Sequence, residues 1–273
     1  MIEIETNNEK LKQVIDRVNN HVKLQTYWVC ANIMALDRKA RNDHGKTHVK
    51  VVVGYGLKLL DLIRKANIKT SLEKDYIENV NIKNYGLLPD DSETVVFLAL
   101  CLHDLGIITH RDQHDRFSVP ISLTIIDDLL EGIYTEEQKA ILTSEILHAI
   151  ASHEVKANVQ PLTIEAGIVK VADSLDMKAG RARIVYSKGA VDSHKISTLA
   201  IDNVKLSTSE DKPIVIDVIM NNPAGIFQVD DRLKFKINGT PIKKYIRVNV
   251  HVKNTNDVKL EKYEVNLDNL DND

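Results

Sequence analysis

Leu98-Ala99-Leu100-Cys101-Leu102-His103-Asp104-Leu105-Gly106 decides how this chain is read. It is an apolar run that ends in an adjacent imidazole and carboxylate and closes on a glycine. The apolar residues place the run in the interior, where an unpaired carboxylate costs several kcal/mol, roughly, unless a cation or hydrogen bonds meet it. Neutral imidazole and ionised carboxylate are both ligands for a divalent metal, and consecutive backbone positions hold them at nearly fixed separation. A structural hydrogen-bonded pair is the plain alternative, so the rest of the chain has to decide.

Working back from this run, Asp91 or Ser92 caps a helix with Glu93 and Thr94 in its first turn, apolar from Val95 to Leu102 and therefore central. Earlier still, residues 8–40 favour helix, with Leu11, Ile15, Val18 and Val22 at helical spacing and a basic end, Arg38-Lys39-Ala40-Arg41. After Asn42-Asp43-His44-Gly45, capped by Thr47 or Asp43, a helix runs through Lys46 to about Ala66. His48 shares its apolar face with Val52, Tyr55, Leu59 and Leu62. His44 precedes a glycine in a loop and is a minor candidate. Residues 67–91 read as a polar connection with a short helix.

Working forward, Thr109-His110-Arg111-Asp112-Gln113-His114-Asp115-Arg116 carries two histidines about one helical turn apart. Ser118 to Leu130 reads as a helix, and Thr135-Glu136-Glu137 opens another whose inner face leads to His153. His148, about 140° round that helix, points elsewhere. Pro161-Leu162-Thr163 starts the last long helix, ending at Gly180, with Asp173 beside its apolar face and Asp176 solvated or paired with Arg181 or Arg183. Beyond residue 186 the texture turns to strand: Ile214, Ile216, Val218 and Met220 alternate, as do Ile246, Val248, Val250 and Val252, with a helix over Val229–Ile237 between them.

The 273 residues fit a main domain with a smaller companion, and a net charge of −3 offers no general attraction to nucleic acid or anionic membrane. Cys30 and Cys101 read as reduced thiols, no signal peptide is visible at Met1–Glu5, and a cytoplasmic location is expected. The fold expected is α+β, with a mainly helical domain over residues 1–185 and a smaller β-rich α+β domain over 186–273.

The inward polar residues are His48, His103, Asp104, His114, His153 and Asp173. Thr47-His48-Val49, Leu102-His103-Asp104-Leu105-Gly106 and Val171-Ala172-Asp173-Ser174-Leu175-Asp176, in that order on helices, resemble the HD superfamily of metal-dependent phosphohydrolases over about residues 40–185. His114 with Ser118, and Ala149-Ile150-Ala151-Ser152-His153, look like the extra histidines of binuclear members such as the diadenosine tetraphosphate hydrolases. Taken whole, the chain most resembles archaeal-type HD hydrolases of unassigned substrate with a β-rich C-terminal extension. It departs from the cyclic-di-GMP phosphodiesterases, since Ile107 and Ser152 stand where those have lysine and histidine.

The resemblance implies a first metal on His48, His103, Asp104 and Asp173, and a second on His114 and His153 with Asp104 shared. The ions are one or two of Fe, Mn, Zn, Ni or Co. Two divalent ions against two carboxylates leave a positive surplus that suits a phosphoester of a nucleotide or similar small molecule, cleaved by activated water. His110 and Arg111 are candidates, beside Asp104, for the chemistry. Lys46, Arg111, Arg116, Arg181 and Arg183 are candidates for holding substrate phosphate. The alternative is a regulatory module that holds a nucleotide without cleaving it; nucleic-acid binding is the least supported reading, and a homodimer is compatible.

Overall fold

The computed structural model describes residues 1–39, 42–178, 197–253 and 261–267. Among the described residues, the helices that precede a sheet include α1 (Glu9–Asn20), α2 (Val22–Asn32), α3 (Lys46–Lys65), α4 (Asp91–Leu102), α5 (His114–Leu130), α6 (Glu136–Ser152) and α7 (Ile164–Ser174). Strands β1 (Ile201–Ser207), β2 (Ile214–Met220), β3 (Ile246–Val252) and β4 (Lys262–Glu264) follow, so the protein is α+β.

Helix α4 is the axis of the fold. From Val95 to Leu102 no residue is more than 1% exposed, and α1, α3, α6 and α7 pack around it. Each buried leucine, valine or phenylalanine contributes about 1.5–3 kcal/mol relative to exposure, so this segment has nowhere else to go. The close approach of α3 depends on Gly56: a Cβ there would sit 2.2 Å from Leu100 Cδ1 and 3.2 Å from Val96 Cγ1. Asp91, buried at the start of α4, is satisfied by Lys10 Nζ at 3.1 Å, the Tyr134 hydroxyl at 3.0 Å and the Leu88 N–H at 2.8 Å.

Local chemistry sets most helix ends. Thr135 accepts from the Gln138 N–H while Gln138 Oε1 accepts from the Thr135 N–H, a reciprocal cap on α6. Residues 8–40 divide at His21, whose backbone is extended and whose Nδ1 caps α2; residue 40 lies outside the described residues. The cap of α3 is Gly45 instead of Thr47 or Asp43, because Asp43 Oδ1 is occupied by the Gly45 N–H at 2.8 Å. Helix α5 begins four residues before Ser118, at His114, and α7 stops at Ser174; Gly180 lies outside the described residues.

In the sheet, β1 and β2 are antiparallel, β2 and β3 parallel, β3 and β4 antiparallel. A parallel neighbour needs a crossover, which is helical over residues 226–238, where a helix was expected. Ile246, Val248, Val250 and Val252 are buried while Arg247, Asn249 and His251 are half-buried, so one face meets the core. Strands β1 and β2 touch α3, and the crossover packs on α7. The apolar cores of the helices and the sheet are one continuous cluster. Cys30 is exposed and Cys101 buried, both free, and among the described residues no helix is long and apolar enough to cross a membrane.

Candidate metal centre

Five helices bring one polar group each to the end of α4. His103 is the C-cap of α4 and His153 the C-cap of α6; His48 lies in the first turn of α3, His114 opens α5, and Asp173 is next to last in α7. The last carbonyls of a helix have no partner within it, and two of them orient ligands here. His103 Nδ1–H donates to Leu100 O at 2.9 Å, and His153 Nδ1–H donates to Ile150 O at 2.6 Å. A carbonyl can only accept, so each Nδ1 carries a hydrogen and each Nε2 is the nitrogen turned to the site. His48 follows the same rule through Asp176, whose Oδ2 is 2.6 Å from His48 Nδ1.

The Nε2 atoms of His48 and His103 are 3.3 Å apart. Two lone pairs at that distance repel unless a proton or metal cation lies between them. Asp104 Oδ2 is 3.5 Å from His48 Nε2 and 3.2 Å from His103 Nε2, while Asp173 Oδ1 is 3.3 Å and 3.6 Å from the same two atoms. Ligands about 2.1 Å from a tetrahedral ion stand about 3.4 Å apart, so these four atoms have the spacing of a coordination shell. His48, His103 and Asp173 form one group of atoms able to hold an ion; His44, His48 and Asp104 form a second, and His103, Asp104 and His153 a third.

Asp104 uses its two oxygens in two directions. Oδ2 faces His44 Nδ1 at 2.6 Å, His48 and His103, whereas Oδ1 faces His114 Nε2 at 3.1 Å and His153 Nε2 at 4.0 Å. His114 and His153 are themselves 3.0 Å apart at Nε2. Among the described residues Asp104 pairs with no lysine or arginine, unlike buried Asp91 with its Lys10.

The electrostatics reflect this crowding. Burial raises the Asp104 carboxyl, but His103 and His44 outweigh it and hold the group well below the usual carboxylate range. Burial likewise opposes ionisation of Asp173, and Lys236, bonded to Oδ2, leads the groups that reverse it. For His103, burial disfavours the charged ring, yet Asp104 and Asp173 push it up to about 10. Burial pushes His153 down, helped by the charges of His103 and His114. One shared proton thus stands where two carboxylates would place a divalent cation.

Of the residues singled out in the sequence, the structure brings His48, His103, Asp104, His114, His153 and Asp173 into this one cluster. Arg111 lies at its edge, Nη1 2.6 Å from His114 Nδ1 and Nη2 3.8 Å from Glu154. His110 is half-buried, its Nδ1 accepting from the Asp112 N–H at 3.1 Å. Lys46 Nζ is engaged by Gln25 Oε1 at 2.8 Å, and Arg116 is exposed on α5. Arg181 and Arg183 lie outside the described residues.

Two expectations change. Asp176 is neither solvated nor set one turn along α7: the helix has ended, and the carboxylate, 8% exposed, turns back to His48. His44 is 8% exposed and reaches Asp104, because extended Gly45 turns it inward beside α3. Lys236 was missed altogether, since a lysine in a mixed helical stretch carries no local mark of its partner.

A helical bundle with histidines and aspartates converging at the end of a His-Asp helix is the arrangement of an HD domain, and the chain belongs to the HD-domain superfamily. The HD domain profile matches residues 57–178. That span holds the His-Asp pair, His114, His153 and Asp173, while His48 lies before it. An uncharacterized protein of the archaeon Methanocaldococcus jannaschii is 38% identical over 241 residues, covering 88% of this chain and 89% of that protein. The superfamily is one of metal-dependent hydrolases, and the His/Asp groups here could hold such a metal.

Proposed function

We propose that the chain is a phosphohydrolase that cleaves a phosphoester or phosphoanhydride of a nucleotide or similar small molecule with the help of one or two divalent ions. The observation that carries this reading is the pair of facing imidazole nitrogens, each with its other nitrogen committed to an oxygen acceptor, between two carboxylates, with no lysine or arginine on Asp104 among the described residues. Such a donor set fits Fe, Mn, Zn, Ni or Co. His48, His103, Asp104 Oδ2 and Asp173 Oδ1 would hold a first ion, and His114, His153 and Asp104 Oδ1 a second. A divalent ion so held would lower the pKa of a water to about 7–9 and draw charge from a phosphoryl oxygen.

The chain's own groups do the rest. Asp176, Leu100 O and Ile150 O fix the rings of His48, His103 and His153, so that no reorganisation is needed when ligand arrives. His44 donates from Nδ1 to Asp104 Oδ2 at 2.6 Å, which holds that carboxylate with its two oxygens turned to the two sets of histidines. Arg111 stands beside His114 with its guanidinium able to meet a phosphate oxygen bidentately. His110, half-buried one residue before Arg111, is the proposed proton donor to the departing oxygen.

The test is elemental analysis of the purified chain with a screen of phosphoesters and nucleotides, repeated on His103→Ala and Asp104→Ala. Both substitutions are expected to abolish metal uptake and turnover while helical circular dichroism survives. Stoichiometric metal with no turnover across nucleoside mono-, di- and triphosphates, cyclic nucleotides and dinucleotides would remove the catalytic reading.

A further inference from the structure

Where β3 starts and the chain leaves β4 there is a cavity of about 670 Å³. Among the described residues, its lining shares no member with the groups able to hold a metal. Its volume falls in the range of about 300–1,000 Å³ that accommodates a small molecule. Ile246, Val265 and Leu267 give it apolar surface, and Lys212, Lys243 and Lys244 give it three cations.

The walls are held in place by the fold itself. On one side Thr240 and Pro241 abut α7, where a Cβ at Gly167 would be 3.3 Å from Thr240 Cβ and from Pro241 Cδ. On the other, the Val265 N–H donates to Val248 O at 2.8 Å. Lys212 reaches across from the β1–β2 turn and donates from Nζ to Lys244 O at 2.7 Å. That bond fixes its ammonium at the cavity and leaves two of its three donors for another acceptor. Among the described residues neither Lys212 nor Lys244 pairs with a carboxylate; the Lys244 ammonium lies 5.0 Å from the centre of the Tyr245 ring. The acid in the lining, Glu264, is 3.1 Å from Arg247 Nε, and Arg247 also takes Asp211. Both carboxylates at this end of the sheet are thus matched by the arginine, and the cavity keeps a positive surplus.

Lysines spread over a convex face are solvated and need no partner. These border one concavity with an apolar floor, where a single anion meets several donors at once. An inorganic anion would leave the apolar surface wet, and an uncharged body would leave the lysines unmet. We propose that this cavity is a second ligand site, apart from the metal centre, that takes an organic phosphate of the nucleoside diphosphate type, with its phosphates on the lysines and its base on the apolar floor. The site stands independently of the phosphohydrolase reading.

The experiment is hydrogen-exchange mass spectrometry of the full-length, Mn²⁺-loaded protein titrated with α,β-methylene-ADP, whose P–C–P bridge resists hydrolysis, and separately with adenosine and inorganic pyrophosphate. The ADP analogue is expected to slow exchange in residues 240–246 and 264–267, with an affinity, read from that protection, at least about 10-fold above that of adenosine or pyrophosphate. Lys244→Met leaves the Lys212 bond to the backbone intact and should weaken this affinity about 10-fold, with a further loss when Lys212→Met is added. Lys65→Met, which removes a lysine of α3 outside the cavity, should stay within about twofold of wild type. Protection confined to the segments around His48, His103 and Asp173 would send the nucleotide to the metal centre alone and overturn the proposal. So would unchanged affinity in both cavity variants, or adenosine or pyrophosphate protecting residues 240–246 as tightly as the ADP analogue does.

Discussion

Asp176 offers the sharpest test of the metal centre, because it bonds to His48 and is not itself one of the proposed ligands. Its Oδ2 accepts the His48 Nδ1–H at 2.6 Å in a setting where the imidazole is 1% and the aspartate 8% exposed. A buried hydrogen bond to a charged acceptor contributes about 1.5–3 kcal/mol. In the metal-loaded protein that energy appears in the basicity and aim of Nε2, and at about 1.4 kcal/mol per factor of ten it corresponds to about 10- to 100-fold in metal affinity. Asp176→Ala is therefore expected to weaken Mn²⁺ or Zn²⁺ binding about 10- to 100-fold, read by competition with a chromophoric chelator. Asp176→Asn, whose amide oxygen still accepts the same hydrogen without the charge, should fall between Ala and wild type. If Asp176→Ala binds metal within about twofold of wild type while His48→Ala does not bind it, Asp176 is not the orienting partner of His48 and the reasoning fails.

Other outcomes follow from the same geometry. His103 is raised to about 10 in the folded chain, so metal must displace its proton: titrations at pH 8 in buffers of different ionisation enthalpy should show about one proton released per ion, and none would contradict the shared-proton description. The sign for stability without metal is the usual one for a raised imidazole, with stabilisation full below about 6.5 and lost as pH rises through about 10; chemical denaturation across that range measures it. Gly106→Ala places a Cβ 2.0 Å from His114 O and 2.6 Å from Ser118 N, backbone atoms that cannot yield, so a loss of about 1–3 kcal/mol or more and impaired metal binding are expected in denaturation and metal titration. Glu145, pushed up to about 7 by burial and by Glu165, retains more protons folded than unfolded between about 4.5 and 7, so it costs stability as pH rises through that window. Glu145→Gln should melt higher than wild type at pH 8 and at the same temperature near pH 4, and equal melting at pH 8 would refute the burial argument.

Much of this protein is written locally. The run Val95–Leu102 is too apolar to be anything but interior, and the pair that ends it arrives at the centre of the bundle. Thr135 and Gln138 announce a helix start three residues apart. The alternation of Ile246, Val248, Val250 and Val252 announces a strand with one buried face. Strand β1 gives no such signal, because a register shift between Ile201 and Asn203 moves its buried residues out of period two. Edge strand β4 spans three residues, too few for a period to emerge.

What the sequence by itself determined, then, is which segments must be helix or strand and which polar residues ride on apolar faces, because burial and backbone periodicity act over one or two turns. His48, His103, His153 and Asp173 are legible for that reason. Only the tertiary structure decided the groups that lie off any period: Asp176, past the end of α7; His44, before the start of α3; and Lys236, which meets Asp173 from 63 positions away. Their side chains are placed by how α3, α7 and the sheet crossover pack together, and a charge is drawn to its partner by distance in space, on which spacing along the chain has no bearing.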